Sequence, residues 1–198
     1  MDQVILARHG ESELSVAGTV NGDPATACAL TDLGEAQARR LGELLRETRL
    51  DLCVTSEFER VRRTADIALR SRDVPRLVLP ELNDVRYGSF EGGTLTAYRE
   101  WASTNQPMVV APGGGESRSA TVERYVRAYR AILARRERTI LVVAHGLPIR
   151  YVLNALDDAD PAPLVDQVAY AEPYTIGRED LERAVARLDR WARAPAWA

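Results

Sequence analysis

Apolar residues in this chain fall into short continuous runs separated by stretches with helical spacing. Val4 to Ala7, Leu50 to Thr55, Leu77 to Leu79 and Thr139 to Ala144 read as strands buried on both faces, the pattern of a parallel sheet. Between the first two, Thr31 is the expected N-cap of a helix with Leu33, Ala36, Leu41, Leu44 and Leu45 on its apolar face. Ser56 is the expected N-cap of the next, in which Val61, Thr64, Ala65, Ala68 and Leu69 recur at i, i+3, i+4, i+7 and i+8. A long helix is predicted from Ser117 to Arg136, facing inward through Val122, Tyr125, Val126, Tyr129, Ile132 and Leu133. Shorter ones follow at Pro148 to Leu156 and Arg178 to Trp191, with an edge strand at Val165 to Ala169. The Gly- and Pro-broken stretch from Asn83 to Gly115 reads as an irregular insertion over the sheet edge. Strands alternating with helices imply right-handed crossovers, hence a three-layer α/β/α sandwich with a mostly parallel central sheet, expected as one domain over residues 1–198.

Composition narrows the chemistry. All 26 basic residues are arginine, because the chain contains no lysine. Schiff-base enzymes, pyridoxal-phosphate anchors and Walker-type phosphate loops all need that amine and are excluded. A net charge of −3 argues against nucleic acid or an anionic membrane as the main partner. Met1-Asp2-Gln3 leads directly into the first strand and no apolar stretch reaches membrane-spanning length, so neither signal peptide nor membrane segment is expected and the location is read as cytoplasmic. Two cysteines, Cys28 and Cys53, make no disulfide framework, and Cys53 sits inside an apolar run as a small hydrophobe would.

The two histidines of the chain share one context: each ends an apolar run and precedes glycine, in Val4-Ile5-Leu6-Ala7-Arg8-His9-Gly10 and Ile140-Leu141-Val142-Val143-Ala144-His145-Gly146. Ligands of open α/β sheets bind just beyond the carboxyl ends of the strands, which is where both imidazoles fall. Arg60, one turn into the helix after the second strand, falls at the same end. Arg8, His9, Arg60 and His145 can therefore meet in one pocket. Two guanidinium forks and two imidazoles suit a dianionic phosphoryl group, with one uncharged imidazole able to attack phosphorus.

With these residues in place the chain resembles the histidine phosphatase superfamily, in the branch typified by cofactor-dependent phosphoglycerate mutase. Arg8-His9-Gly10-Glu11-Ser12, Leu30-Thr31-Asp32-Leu33-Gly34, Ser56-Glu57-Phe58-Glu59-Arg60, Leu82-Asn83-Asp84, Gly114-Gly115-Glu116-Ser117 and Val143-Ala144-His145-Gly146 follow the family's order over roughly the first 150 residues. The resemblance implies that His9 becomes phosphohistidine, that Arg8, Arg60 and His145 hold the phosphoryl oxygens, and that no metal or other cofactor takes part. The family's acid is a glutamate where this chain has Asp84; Glu81, three positions earlier, is the alternative. Ser15 and Thr19 stand where the family often carries Asn and Arg, so anion contacts are lost there. Ser15, Asn21 and Gly146 join Arg8, Arg60 and His145 as candidate substrate contacts, while Glu11, Glu116 and Arg63 are read as supports of the surrounding loops.

The resulting expectation is a metal-independent phosphomonoesterase of the histidine acid phosphatase type, acting on a small phosphorylated substrate. Rival readings are a phosphoglycerate mutase-type phosphotransferase, a phospho-ligand-binding protein with weak catalysis, and a zinc enzyme using His9, His145, Cys28 and Cys53. The last lacks any His-x-x-x-His or Cys-x-x-Cys spacing. The oligomeric state stays open, a homodimer being one option.

Overall fold

The computed structural model describes residues 1–197. In chain order the elements are β1 (Gln3–Arg8), α1 (Glu13–Val16), α2 (Asp32–Leu44), β2 (Leu52–Thr55), α3 (Glu59–Ala68), β3 (Arg76–Val78), α4 (Leu95–Thr104), α5 (Arg118–Leu133), β4 (Thr139–Ala144), α6 (Gly146–Leu156), β5 (Pro173–Gly177) and α7 (Arg178–Arg193). The sheet runs β3-β2-β4-β1-β5, parallel except for β5, which pairs antiparallel with β1.

Period-2 alternation builds the three layers. Val4, Leu6, Leu52, Val54, Ile140 and Val142 face one side, where they pack with buried residues of α5, α6 and α7. Ile5, Ala7, Cys53, Leu141 and Val143 face the other, against α2 and α3. Both faces are covered, which is why the strands read as unbroken apolar runs rather than alternating ones.

Four details differ from expectation. The inward face of α2 is Gly34, Ala38 and Leu41, continued by Leu45, while Leu33 and Leu44 are exposed. The helix is rotated because Gly34 lies against the loop after β1, where an added Cβ would come within 1.9 Å of the Glu11 carbonyl oxygen. That contact outranks leucine burial, since backbone cannot yield as a side chain can. Second, the N-cap of α3 is Phe58, not Ser56. Third, residues 165–169 form no strand: the edge position beside β1 is taken by β5, where Ile176 faces the core, and Tyr170 makes a lone bridge to Arg8. Fourth, the insertion contains α4, capped by the Thr94 hydroxyl on the Ala97 N–H, and a small core of its own made by Val20, Val85, Tyr87, Tyr98, Ala102 and Ala111. Thr31 caps α2 as expected, its hydroxyl accepting from the Gly34 N–H, and Ser117 likewise caps α5. No helix among the described residues is long and apolar enough to cross a membrane.

Candidate active site

Register places the two histidines side by side. Arg8 pairs with Ala144 at the carboxyl ends of β1 and β4, and the His9 N–H donates to the Ala144 carbonyl at 2.9 Å. The rings meet edge to face with centroids 5.5 Å apart. Both are almost completely buried.

The His9 ring is fixed by its Nδ1, 2.7 Å from its neighbour's carbonyl, Gly10 O. A carbonyl can only accept, so Nδ1 carries the proton and Nε2 carries the lone pair. That lone pair faces Arg60, whose Nε donates to it at 3.3 Å. Burial first, then the charges of Arg60 and Arg8, hold the His9 pKa well below the ordinary imidazole value. Nε2 is thus an uncharged nitrogen whose lone pair faces the arginine cluster. His145 has the opposite tautomer. Its Nδ1 accepts from Arg60 Nη2 at 3.4 Å, leaving Nε2 to donate to the Ser56 hydroxyl at 3.0 Å. Burial and the Arg60 charge push its pKa down as well.

Arg60 is the hub. Besides both imidazoles, its Nη2 meets the Asn21 carbonyl at 3.3 Å and Asp84 Oδ2 at 3.5 Å, and its guanidinium carbon lies 4.3 Å from the Phe58 ring centroid. Arg8 approaches from β1. Its Nη1 donates to Val168 O at 2.8 Å, its guanidinium lies 3.9 Å above the Tyr170 ring, and its Nε is buried without an acceptor among the described residues. The donors of two guanidinium groups thus converge beside one nucleophilic nitrogen, an arrangement suited to the oxygens of a phosphoryl group.

Asp84 reaches this cluster, with Oδ2 3.5 Å from Arg60 and 3.6 Å from His145 Nδ1. Glu81 lies outside the cavity that Asp84 lines. Arg124 on α5 sets the position of that segment by donating to the carbonyls of Glu81, Asn83 and Asp84 while gripping the Glu116 carboxylate with Nε and Nη2. Burial alone would raise the Glu116 pKa, but the paired Arg124 bonds outweigh it and the net shift is downward. Glu11 accepts from the Thr31 hydroxyl and Arg63 pairs with Glu35, so both act on loops and helices around the site.

The cavity over the cluster has a volume of about 620 Å³ and is also lined by Ser15, Asn21 and Gly146. The Ser15 hydroxyl is already committed, accepting from the Ser12 N–H and donating to Ser12 O. Asn21 keeps a free donor: Oδ1 accepts from the Asp23 N–H, but Nδ2 is buried with no partner among the described residues. Gly146 begins α6, where backbone N–H groups lack intrahelical acceptors and favour an anion. Gly10 has a steric reason of its own, because a Cβ there would come within 2.4 Å of Gly34 O.

Sequence reading missed four supports of the site. Ser56 orients His145, Thr64 joins the Gly10 N–H to the Arg60 carbonyl, Tyr170 underlies Arg8, and Arg124 clamps the Asp84 segment. Ser56 lies in the motif that ends at Arg60 and Thr64 on the inward face of the same helix, whereas Tyr170 and Arg124 are brought in by tertiary contacts alone. The zinc grouping does not form: Cys53 is buried in β2 with burial pushing its thiol up to about 11, and no three His, Cys, Asp or Glu side chains converge as metal ligands among the described residues.

Because the chain has two histidines, their titration can be read directly by NMR of the imidazole nitrogens. Both should stay neutral through pH 6.5, with Nδ1 protonated in His9 and Nε2 in His145, and should titrate only well below it. A midpoint at or above 6.5 for either ring would contradict the tautomers and the burial that fix them.

A mostly parallel α/β/α sheet with paired histidines at adjacent strand ends and two arginines beside them makes a site suited to a phosphoryl group. The chain belongs to the histidine phosphatase superfamily, branch 1, whose family model matches residues 4–192. It is 39% identical over 130 residues to an adenosylcobalamin/alpha-ribazole phosphatase of Salmonella typhimurium, covering 61% of this chain and 63% of the relative, so the match spans under two thirds of that protein. A 2,3-bisphosphoglycerate-dependent phosphoglycerate mutase of Methylobacterium is 35% identical over 170 residues, covering 78% of this chain and 80% of that one. Among solved structures, the alpha-ribazole phosphatase of Shigella flexneri superposes with a TM-score of 0.74 at 28% identity, covering 88% and 89% of the two chains. The superfamily and the mutase-like fold expected from sequence are thereby shown. The match to branch 1 does not extend to the narrower acid-phosphatase type.

Proposed function

We propose that the protein hydrolyses small phosphomonoesters through a phosphohistidine on His9, without a metal ion. The observation that carries this reading is the uncharged Nε2 of His9, locked by Gly10 O at 2.7 Å and set 3.3 Å from Arg60. In the first step Nε2 bonds to phosphorus as the ester P–O bond breaks. The proton for the departing alkoxide comes from the Asp84 carboxyl group. Arg8 and Arg60 donate to the phosphoryl oxygens, while neutral His145, whose Nδ1 accepts from Arg60 and whose Nε2–H goes to Ser56, steadies the Arg60 guanidinium, and these donors are fixed before charge moves. In the second step the Asp84 carboxylate takes a proton from water, whose oxygen displaces Nε2 and releases inorganic phosphate. Asn21 Nδ2 and the Gly146 N–H are further donors for the bound group. Ser15 is left as a wall of the cavity.

The second reading, a phosphoglycerate mutase-type transfer, is favoured by the similarity to the Methylobacterium mutase. A mutase must shield phosphohistidine from water while a bisphosphorylated intermediate turns around. Here the segment between Gly93 and Gly115 carries a single basic residue, Arg99, and Thr19 replaces a family arginine. Purified protein given 3-phosphoglycerate with catalytic 2,3-bisphosphoglycerate should release phosphate faster than it forms 2-phosphoglycerate, and chelator should leave the rate unchanged. Isomerisation about tenfold faster than phosphate release, a barrier difference of about 1.4 kcal/mol, would reverse the assignment.

A further inference from the structure

One buried cation on the cavity wall has no part in the chemistry just described. Arg118 is the first residue of α5, is only 7% exposed, and lines the same cavity as His9. Its Nη1 donates to the Tyr151 hydroxyl at 3.2 Å, which in turn donates to Ala162 O. Its Nε is buried with no acceptor among the described residues. The Tyr98 ring centroid lies 5.5 Å from its guanidinium carbon. No carboxylate pairs with it among the described residues, and Glu116, two positions earlier, is occupied by Arg124 and Arg86. Arg118 also shares no hydrogen bond with His9, Arg60 or His145.

Removing a guanidinium from water with only a neutral hydroxyl and an aromatic face as partners costs several kcal/mol. Arg8 shows the same signature among the described residues, an unanswered buried Nε and no paired carboxylate, and the incoming phosphoryl group explains it. Arg118 requires a different anion, because it stands on the wall formed by α4, α5 and α6 rather than at the strand ends. Apolar residues Leu14, Val20, Val85, Leu95 and Leu147 line the same cavity. A spacer lying along such residues would join two anionic groups, one at each set of arginine donors. Arg99 lines this cavity too, with Nη2 fixed on Val165 O at 2.7 Å.

We propose that Arg118 reads a second anionic group, so that the preferred phosphomonoesters carry a carboxylate or a further phosphate separated from the phosphoester by a short spacer. The proposal rests on the phosphatase reading and names its substrate class.

Binding tests it independently of turnover. A series of ω-phosphonoalkanoates of increasing chain length would be titrated calorimetrically against the wild-type protein, each beside the alkylphosphonate of equal length, with a parallel α,ω-bisphosphonate series. At one chain length the doubly anionic ligand should bind about tenfold or more tightly than its singly anionic partner, the scale of a charge-assisted hydrogen bond. Whether the carboxylate or the bisphosphonate series shows the larger gain identifies the second group. Arg118→Leu should erase the gain, and Arg118→Lys should restore part of it. No gain at any length in wild type, or an undiminished gain in Arg118→Leu, overturns the assignment. The wild-type arm decides alone if the leucine variant fails to fold. Failure of the phosphatase reading would appear separately, as absent phosphate release from the matching esters by a protein that still discriminates the phosphonates.

Discussion

His9→Ala should lower turnover of any phosphomonoester by at least about 10⁴-fold, the scale on which losing a covalent nucleophile is felt. The remaining arginines would still bind the phosphoryl group, so affinity for phosphate should survive while the reaction stops. The reason is positional. Nε2 of His9 is held on the cluster's axis by the Gly10 carbonyl, and no other lone pair is so placed: that of His145 Nδ1 faces Arg60 and Asp84 from the neighbouring strand. Wild-type protein quenched during turnover should carry a phosphate that is labile in acid and stable in base, as a phosphoramidate is, and His9→Ala should carry none. Retained turnover in the variant, or an acid-stable phosphoester on the wild type, would remove His9 from the nucleophile's role. Circular dichroism guards against loss of fold, since the ring is buried.

Asp84→Asn should separate substrates by their leaving groups. The substitution is nearly isosteric and keeps an oxygen to accept from the Val85 N–H, as Asp84 Oδ1 does at 3.0 Å. What it removes is the exchangeable proton. For an alkyl phosphate, whose alkoxide must be protonated as it leaves, kcat/KM should fall by about 10²- to 10³-fold. For a nitrophenyl phosphate, whose phenolate leaves unaided, kcat/KM should fall less than about tenfold. Hydrolysis of phosphohistidine would still lack its base, so a burst of nitrophenol and an accumulating phosphoenzyme are expected with that substrate. Glu81→Gln should change neither, because Glu81 lies outside the cavity and contributes only its backbone carbonyl to Arg124. Equal losses on both substrates for Asp84→Asn would transfer the acid's role to another group.

Sequence by itself determined the sheet and the chemical set at its edge. Strands buried on both faces need apolar residues at every position, so β1, β2 and β4 announce themselves as continuous runs, and chain direction fixes which residues follow their carboxyl ends. That was enough to place Arg8, His9, Arg60 and His145 at one end of the sheet, where Arg60 hydrogen-bonds both imidazoles and Arg8 lines the same cavity as His9 and Arg60. The long helices were legible for the same reason, their apolar faces being wide and their caps local. What only the tertiary structure decided lies where one element's fate depends on a distant one. The rotation of α2 follows from backbone packing of Gly34 on Glu11, which leucine spacing cannot register. The edge position went to residues 173–177 because their antiparallel pairing with β1 places Ile176 in the core, a choice between two short segments that local pattern leaves undecided. The tautomers of His9 and His145 depend on which carbonyl or hydroxyl each ring nitrogen meets, and the placement of Asp84, rather than Glu81, on the cavity wall depends on where Arg124, some forty residues onward, holds three carbonyls. Arg118 is the clearest instance: in the sequence it is one arginine among 26, and burial without a carboxylate is a property that only the folded chain confers.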